Sequence, residues 1–384
     1  MINGQHSNDL KLTRKQKMQV IFRRIQLPLQ KWIIIVASML FILAGIFTFF
    51  KPLEYIRKTS STNTNKITMN FVGDIMMDRG IEAHNKFYGY ESMFSNVINF
   101  WNDANFVFAN LESAVLKDDK DTYEEVDKSI HLGANYKSIE SMINAGINIF
   151  ACSNNHAYDY GERAITELID YFEENEIIYS GIGKSTNDIE QYKIFEYNGI
   201  NVAFISITDV FYKYSIPTDS QGGILTTANS YYNLLTYEAS QEADIVIVYM
   251  HWGEENQTSA NKTQVDLGHQ LIDAGADIVI GSHPHVVQEI EKYKDGIIFY
   301  SLGNFIFDQG NTYAKDFVMV EYVIDENDNG AFYLYPGHSY NGVPYITANP
   351  FYKSRINREL SQGLDAADYY LNEDGFIVIP FNIV

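Results

Sequence analysis

Seven side chains able to hold a metal ion, or to work beside one, follow short apolar runs in this chain: Asp74, Glu112, Asn155, His156, His251, His283 and His285. Residues 67–72 lead into Gly73 and Asp74, 106–109 into Asn110 and Glu112, and 147–152 into Ser153 through His156. Residues 245–250 lead into His251 and Glu254, 278–280 into His283 and His285, and 297–301 into Asn304. Mixed oxygen and imidazole donors without thiolates suit Mn, Fe or Zn. A pair of such ions clamps the attacking and leaving oxygens of a phosphoryl transfer. The chemistry these residues imply is therefore that of a two-metal hydrolase site, with one or two divalent ions.

Each residue alone has a plainer reading. A single histidine after a strand is commonly a satisfied structural residue. Asp74 serves equally as the N-cap of a short helix over residues 76–84, and Glu112 as a cap for the turn after it. Recurrence at successive strand ends is what favours a site. The strongest single piece is His283, Pro284 and His285, since two imidazoles two residues apart in an extended segment point the same way and can reach one site. His84, His131, His269 and His338 lack this placement and read as structural.

The elements that must position these residues alternate short β-branched runs with helical patterns, which predicts an α/β fold of βα units with a largely parallel sheet or pair of sheets. Ligands bind such sheets at the C-terminal strand ends, where the loops converge. One helix is explicit after Gly161: Ala164, Ile165, Leu168, Ile169 and Phe172 form an apolar stripe, with Glu162, Arg163, Glu167, Asp170 and Glu173 opposite. From Asp316 the pattern turns to strands, over residues 316–323, 331–335 and 375–384, which read as edge or capping structure. The folded domain is expected over 67–315, with 316–384 as a β-rich extension packed on it.

At 384 residues and 46% hydrophobic content the chain can bury a large core. Its net charge of −21 is uneven: residues 1–31 carry seven Lys/Arg against Asp9, residues 32–50 carry no charge, and the remainder sums to −27. Such a surface repels phosphates and excludes nucleic acid as a partner. Cys152, the only cysteine, rules out an internal disulfide and reads as a small buried apolar residue. The uncharged run 32–50 is just long enough to cross a bilayer core. No small-x-small cleavage pattern follows it, so an uncleaved single-pass anchor is expected. The basic excess before Trp32 places residues 1–31 in the cytoplasm and the large domain outside. Residues 51–66 are expected to be a polar stalk.

At the strand-end motifs a resemblance appears. Residues 73–79, 110–112, 153–161, 251–254, 281–286 and 300–309 resemble, in matching order, the poly-γ-glutamate capsule synthesis proteins of the CapA/PgsA kind from Gram-positive bacteria. The resemblance implies a calcineurin-like metallophosphatase fold, a four-layer αββα sandwich of two β-sheets between helical layers, preceded by one transmembrane helix. It implies the cell membrane as location, and membrane subunits of the poly-γ-glutamate synthase and the polymer itself as partners. It also implies roles: Asp74 as first-motif aspartate, Glu112 as bridging carboxylate, Asn155, His251, His283 and His285 as further metal ligands, and His156 as the catalytic histidine at the leaving oxygen. Arg79 is the substrate-binding candidate for an anionic polymer, while Lys128 and Lys137 read first as solvated surface. Two positions depart from the pattern: Met76 stands where active phosphoesterases carry a histidine, and Ala157 where an acid follows the Asn-His pair. The expected consequence is a first metal site weakened to Asp74, Glu112 and His285, beside a full second site of Glu112, Asn155, His251 and His283. Three readings follow: a polymer-handling capsule component with slow or absent hydrolysis, an active extracytoplasmic phosphoesterase, or a structural partner of the polymerase.

Overall fold

The structure, a computed structural model, describes residues 13–15, 17–20, 31–41, 54–55, 57, 65–189, 191–228 and 231–383. It divides into two units, residues 1–52 and 53–384. In the first, residues 31–41 are helical, while the rest of the predicted span, 42–50, lies outside the described residues. Among the described residues no helix is long and apolar enough to cross a membrane.

Alternation along the strands of the second unit builds its core. In the strand Ile245–His251, the side chains of Ile245, Ile247 and Tyr249 join one hydrophobic cluster, and those of Val246, Val248 and Met250 another. In Phe106–Leu111, Phe106 and Phe108 share the first cluster while Val107 and Ala109 enter a third. The period of two in a strand buried on both faces produces this division. The shared cluster lies between two sheets. On the outer side of the larger sheet lie the helices Arg79–Tyr88, Tyr136–Asn144 and Gly161–Glu174, and on that of the smaller sheet the helices Tyr231–Ser240 and Lys262–Asp273. The order is helix, sheet, sheet, helix. The stripe predicted after Gly161 is the buried face of Gly161–Glu174.

The nine-stranded sheet has the order Tyr370–Leu371, Ile377–Pro380, Gly330–His338, Asp316–Ile324, Ile67–Ile75, Phe106–Leu111, Ile149–Ala151 and Ile178–Ser180, with Asn304–Ile306 pairing the end of Ile67–Ile75. From Ile67–Ile75 to Ile178–Ser180 the neighbours are parallel. The six-stranded sheet runs Ile290–Tyr293, Gly296–Phe299, Ile278–Ser282, Ile245–His251, Ile200–Thr208 and Lys193–Tyr197, parallel among its four central strands. Of the strands after Asp316 expected as edge or capping structure, Asp316–Ile324 and Gly330–His338 lie inside the larger sheet, whose edge is Tyr370–Leu371. Asp316–Ile324 pairs antiparallel with Ile67–Ile75 in the middle of the larger sheet. Its aromatic and β-branched residues reflect burial on both faces of the sheet.

Chain before the first strand also belongs to this unit. Glu54 forms an antiparallel bridge with Thr347, and the Tyr55 N–H donates to the Ile346 carbonyl at 2.9 Å.

Candidate metal centre

Ile67–Ile75 carries Asp74 inside the strand, so the helix that follows, Arg79–Tyr88, is capped by Asp78 and not by Asp74. The pairing register shifts between Val72 and Asp74, and a Cβ on Gly73 would sit 1.9 Å from the Gly303 carbonyl oxygen. Only glycine allows that approach. The irregularity re-aims Asp74, as bulges beside sites commonly do. Asp74 pairs across the sheet with Asn110 on one side and Asn304 on the other, and in the smaller sheet His251 pairs with Ser282. Register thus fixes the polar ends side by side.

The structure brings Asp74, Glu112, Asn155, His251, His283 and His285 together. Two groups of potential ligand atoms form, Glu112 with His251 and His283, and Asp74 with Glu112 and His285, the atoms of each within 4.8 Å of one another. All five of these residues are buried. Glu112 belongs to both groups: its Oε1 lies 3.9 Å from His251 Nε2 and 3.6 Å from His285 Nε2. Asn155 Oδ1 lies 2.8 Å from His251 Nε2, and His283 Nδ1 lies 3.1 Å from the same nitrogen. The histidine pair is not extended as its spacing suggested. His283 has φ +94° and His285 φ +58°, and their rings, 5.8 Å apart, serve different groups. Positive φ on two non-glycine residues costs about 1–3 kcal/mol each and is characteristic of functional positions.

The electrostatics favour a cation. Both Glu112 oxygens are buried without a hydrogen-bond partner. Burial, and then the charge of Asp74, holds the Glu112 carboxyl well above the usual range. Burial, and then His283 and His285, pushes His251 well below the usual imidazole value, and burial with His285 takes His283 down to about 3. Neutral imidazoles facing an orphaned carboxylate are a set whose desolvation a divalent ion would offset. The donors fit such a group.

His156 stands beside this centre without joining either group. Its Nδ1 lies 2.7 Å from Asp159 Oδ2, whose other oxygen accepts from Lys128 Nζ at 2.6 Å. Burial lowers the His156 pKa against the opposing pull of Asp159. Asp159 is thus the acid in contact with His156, a partner legible only as His-x-x-Asp spacing. Lys128 is no solvated residue: its side chain is 4% exposed and also donates to the Asn155 carbonyl at 2.8 Å. Lys137 is exposed. The Met76 sulfur, fully buried, accepts the Asp78 N–H at 3.1 Å. The Arg79 guanidinium is bound to Asp308 at 2.5 Å and lies over the Phe307 ring.

Sequence reasoning passed over three orienting groups. Asn110 Nδ2 donates to Asp74 Oδ1 at 2.8 Å, Asn304 Oδ1 lies 2.9 Å from His285 Nδ1, and Ser282 Oγ lies 3.0 Å from His251 Nδ1. Each sits in or beside a strand-end motif, which was the available signal. Of the histidines read as structural, His338 contacts Asp316, His269 Glu291 and His131 the Val126 carbonyl, whereas His84 lies against the Tyr88 ring with its buried Nδ1 lacking a hydrogen-bond partner.

Two stacked sheets with carboxylates and imidazoles gathered at their parallel strand ends define an α/β protein with a candidate metal centre. The chain belongs to the family of bacterial capsule synthesis proteins PGA_cap, whose model matches residues 68–309. It is 32% identical over 379 residues to the capsule biosynthesis protein CapA of Bacillus anthracis, covering 97% of this chain and 92% of that one. To the PGA biosynthesis protein CapA of Bacillus subtilis (strain 168) it is 32% identical over 372 residues, covering 96% and 94%. A solved 5'-nucleotidase precursor from Thermus thermophilus is similar at 12% identity and TM-score 0.37, covering 77% of this chain and 58% of that one. That likeness is too slight to bear on fold or chemistry.

Proposed function

We propose that this chain is a membrane-anchored, extracytoplasmic component of poly-γ-glutamate capsule synthesis or export, built on a metallophosphatase-type αββα domain with a divalent metal centre. The names of its relatives support the capsule role, and the basic leader before an uncharged run supports the anchor. Partners of this reading are the membrane subunits of the polymer synthase and the polymer itself.

The observation that carries the metal centre is Glu112, a fully buried carboxylate with no hydrogen-bond partner, shared by two ligand groups. In this reading Asp74, Glu112 and His285 hold one ion, and Glu112, Asn155, His251 and His283 the other. A bound divalent ion supplies Lewis acidity and positive charge for an anionic group such as a carboxylate or phosphoryl oxygen. Asn110, Asn304 and Ser282 keep Asp74, His285 and His251 oriented, and the buried surroundings exclude water. Nearby cations do not replace the ion, because Arg79 is engaged by Asp308 and Lys128 by Asp159.

One observation favours a second reading, that the centre hydrolyses a phosphoester. Asp159 holds His156 with Nδ1 occupied, leaving Nε2 for a proton at a leaving oxygen. The missing imidazole at Met76 weighs against brisk turnover. To test the main reading, a producing strain carries Glu112→Gln in place of the wild-type gene and surface polymer is measured. Loss of polymer at unchanged protein level supports a working centre. Unchanged polymer sinks it.

A further inference from the structure

The outer face of the larger sheet contains a polar slot that the metal centre does not use. Glu321, 3% exposed, sits there in the strand Asp316–Ile324, and its cross-strand neighbour Asn70 is fully buried with no hydrogen-bond partner for its side-chain amide. Met319 on the same strand and Tyr335 on the neighbouring one belong to the apolar core on this face. A carboxylate in that setting is costly unless it is paired. Tyr335 donates to Glu321 at 2.7 Å, and the ion partner is Arg57, 2.9 Å away, whose guanidinium also donates to the Phe100 carbonyl. Around it Tyr55 packs edge-on against Phe376 with ring centroids 4.8 Å apart, and its hydroxyl donates to Asp374 at 2.8 Å. The Tyr55 N–H and Glu54 continue the contact as strand pairing with Ile346 and Thr347.

We infer that this surface is a docking site for the chain's own segment 54–57, which acts as a strap binding the domain independently of the covalent link through residues 58–66. Arg57 supplies the charge that Glu321 requires, Tyr55 supplies apolar area and a hydroxyl, and backbone pairing sets the register. Nothing in the strand-end motifs calls for a buried acid on this face. The strap rests on these contacts alone, whereas membrane attachment rests on the proposed anchor.

The test uses the full chain with an N-terminal affinity tag and a protease site inserted between Ser61 and Thr62. After cleavage in detergent, the domain is expected to stay on the tagged fragment. Arg57→Glu is expected to shorten its retention ~100-fold, in keeping with the loss of a partner from a buried ion pair. Tyr55→Ala, which leaves the ion pair in place, is expected to weaken retention less, and a free peptide of residues 53–58 added in excess should displace the domain. Release of the cut wild-type domain as fast as the Arg57→Glu domain overturns the strap. Sedimentation of the uncut chain with membranes reports on the anchor separately, so failure of that reading is distinguishable from failure of this one.

Discussion

His156 and Asp159 form a buried pair, Nδ1 to Oδ2 at 2.7 Å, and Lys128 closes it by binding the second Asp159 oxygen at 2.6 Å. Asp159 is thus the carboxylate counter-charge in contact with a lysine ammonium that is 4% exposed. Replacing Asp159 with Ala strands that ammonium, and the domain should lose about 3 kcal/mol of stability in urea unfolding. The double change Lys128→Met with Asp159→Leu should recover most of the loss. A single Asp159→Ala change that leaves the midpoint unmoved would show that the pair contributes nothing.

Gly73 makes a second, sharper prediction. Its Cβ position falls 1.9 Å from the Gly303 oxygen, so Gly73→Ala must push the strand carrying Asp74 away from residue 303. Metal affinity should fall more than ~10-fold, because ligand sites tolerate displacements of only about 0.5 Å. Isothermal titration with Mn, against wild type at equal folded fraction, checks this. Equal affinity would mean that Asp74 is not a ligand.

Much of this arrangement was legible in sequence, for identifiable reasons. The six apolar runs read as strands because β-branched residues crowd them, and the polar residue after each run marked the loop edge that parallel strands share. The helix after Gly161 declared its stripe through three- and four-residue spacing. What stayed hidden was set by register and backbone. The positive φ of His283 and His285 cannot be read from a His-Pro-His triplet, and the pairing of His156 with Asp159 depends on a turn. Arg57 looked like part of a polar linker because its partner Glu321 lies 264 residues away. Strands after Asp316 looked peripheral because nothing local reveals which neighbour a strand will find.

Proton linkage gives a third prediction. Glu112 is raised in the folded chain, so its contribution to stability is present below the ordinary carboxylate range and is lost as pH rises. His283, lowered to about 3, acts oppositely: its contribution is present above the unfolded imidazole value and is lost as pH falls from about 6.5 toward 3. A divalent ion needs Glu112 ionised and the imidazoles neutral, so metal binding should release protons. Saturating Mn should therefore raise Tm, relative to a chelated sample, by more at pH 8 than at pH 6. A gap that is constant or shrinks with pH would contradict the ligand set.

Met76 sets a fourth. It stands two residues after Asp74, fully buried, with its sulfur taken by the Asp78 N–H, and a thioether is a poor ligand for Mn or Zn. Met76→His should raise the metal content of the Asp74, Glu112 and His285 group, and aryl phosphodiester hydrolysis with excess Mn should rise with it. A wild-type chain that already holds two ions and turns over briskly would overturn the weakened first site and put the phosphoesterase reading first.

Glu112 is shared between two groups of potential ligands, which in the proposed function form one metal centre. The most direct measurement is metal content per chain after loading with Mn and dialysis, for wild type and for Glu112→Gln, which preserves size and removes the charge. At least one ion per wild-type chain is expected, and none retained by Glu112→Gln, with both proteins unfolding cooperatively. Equal metal content in the two would contradict it.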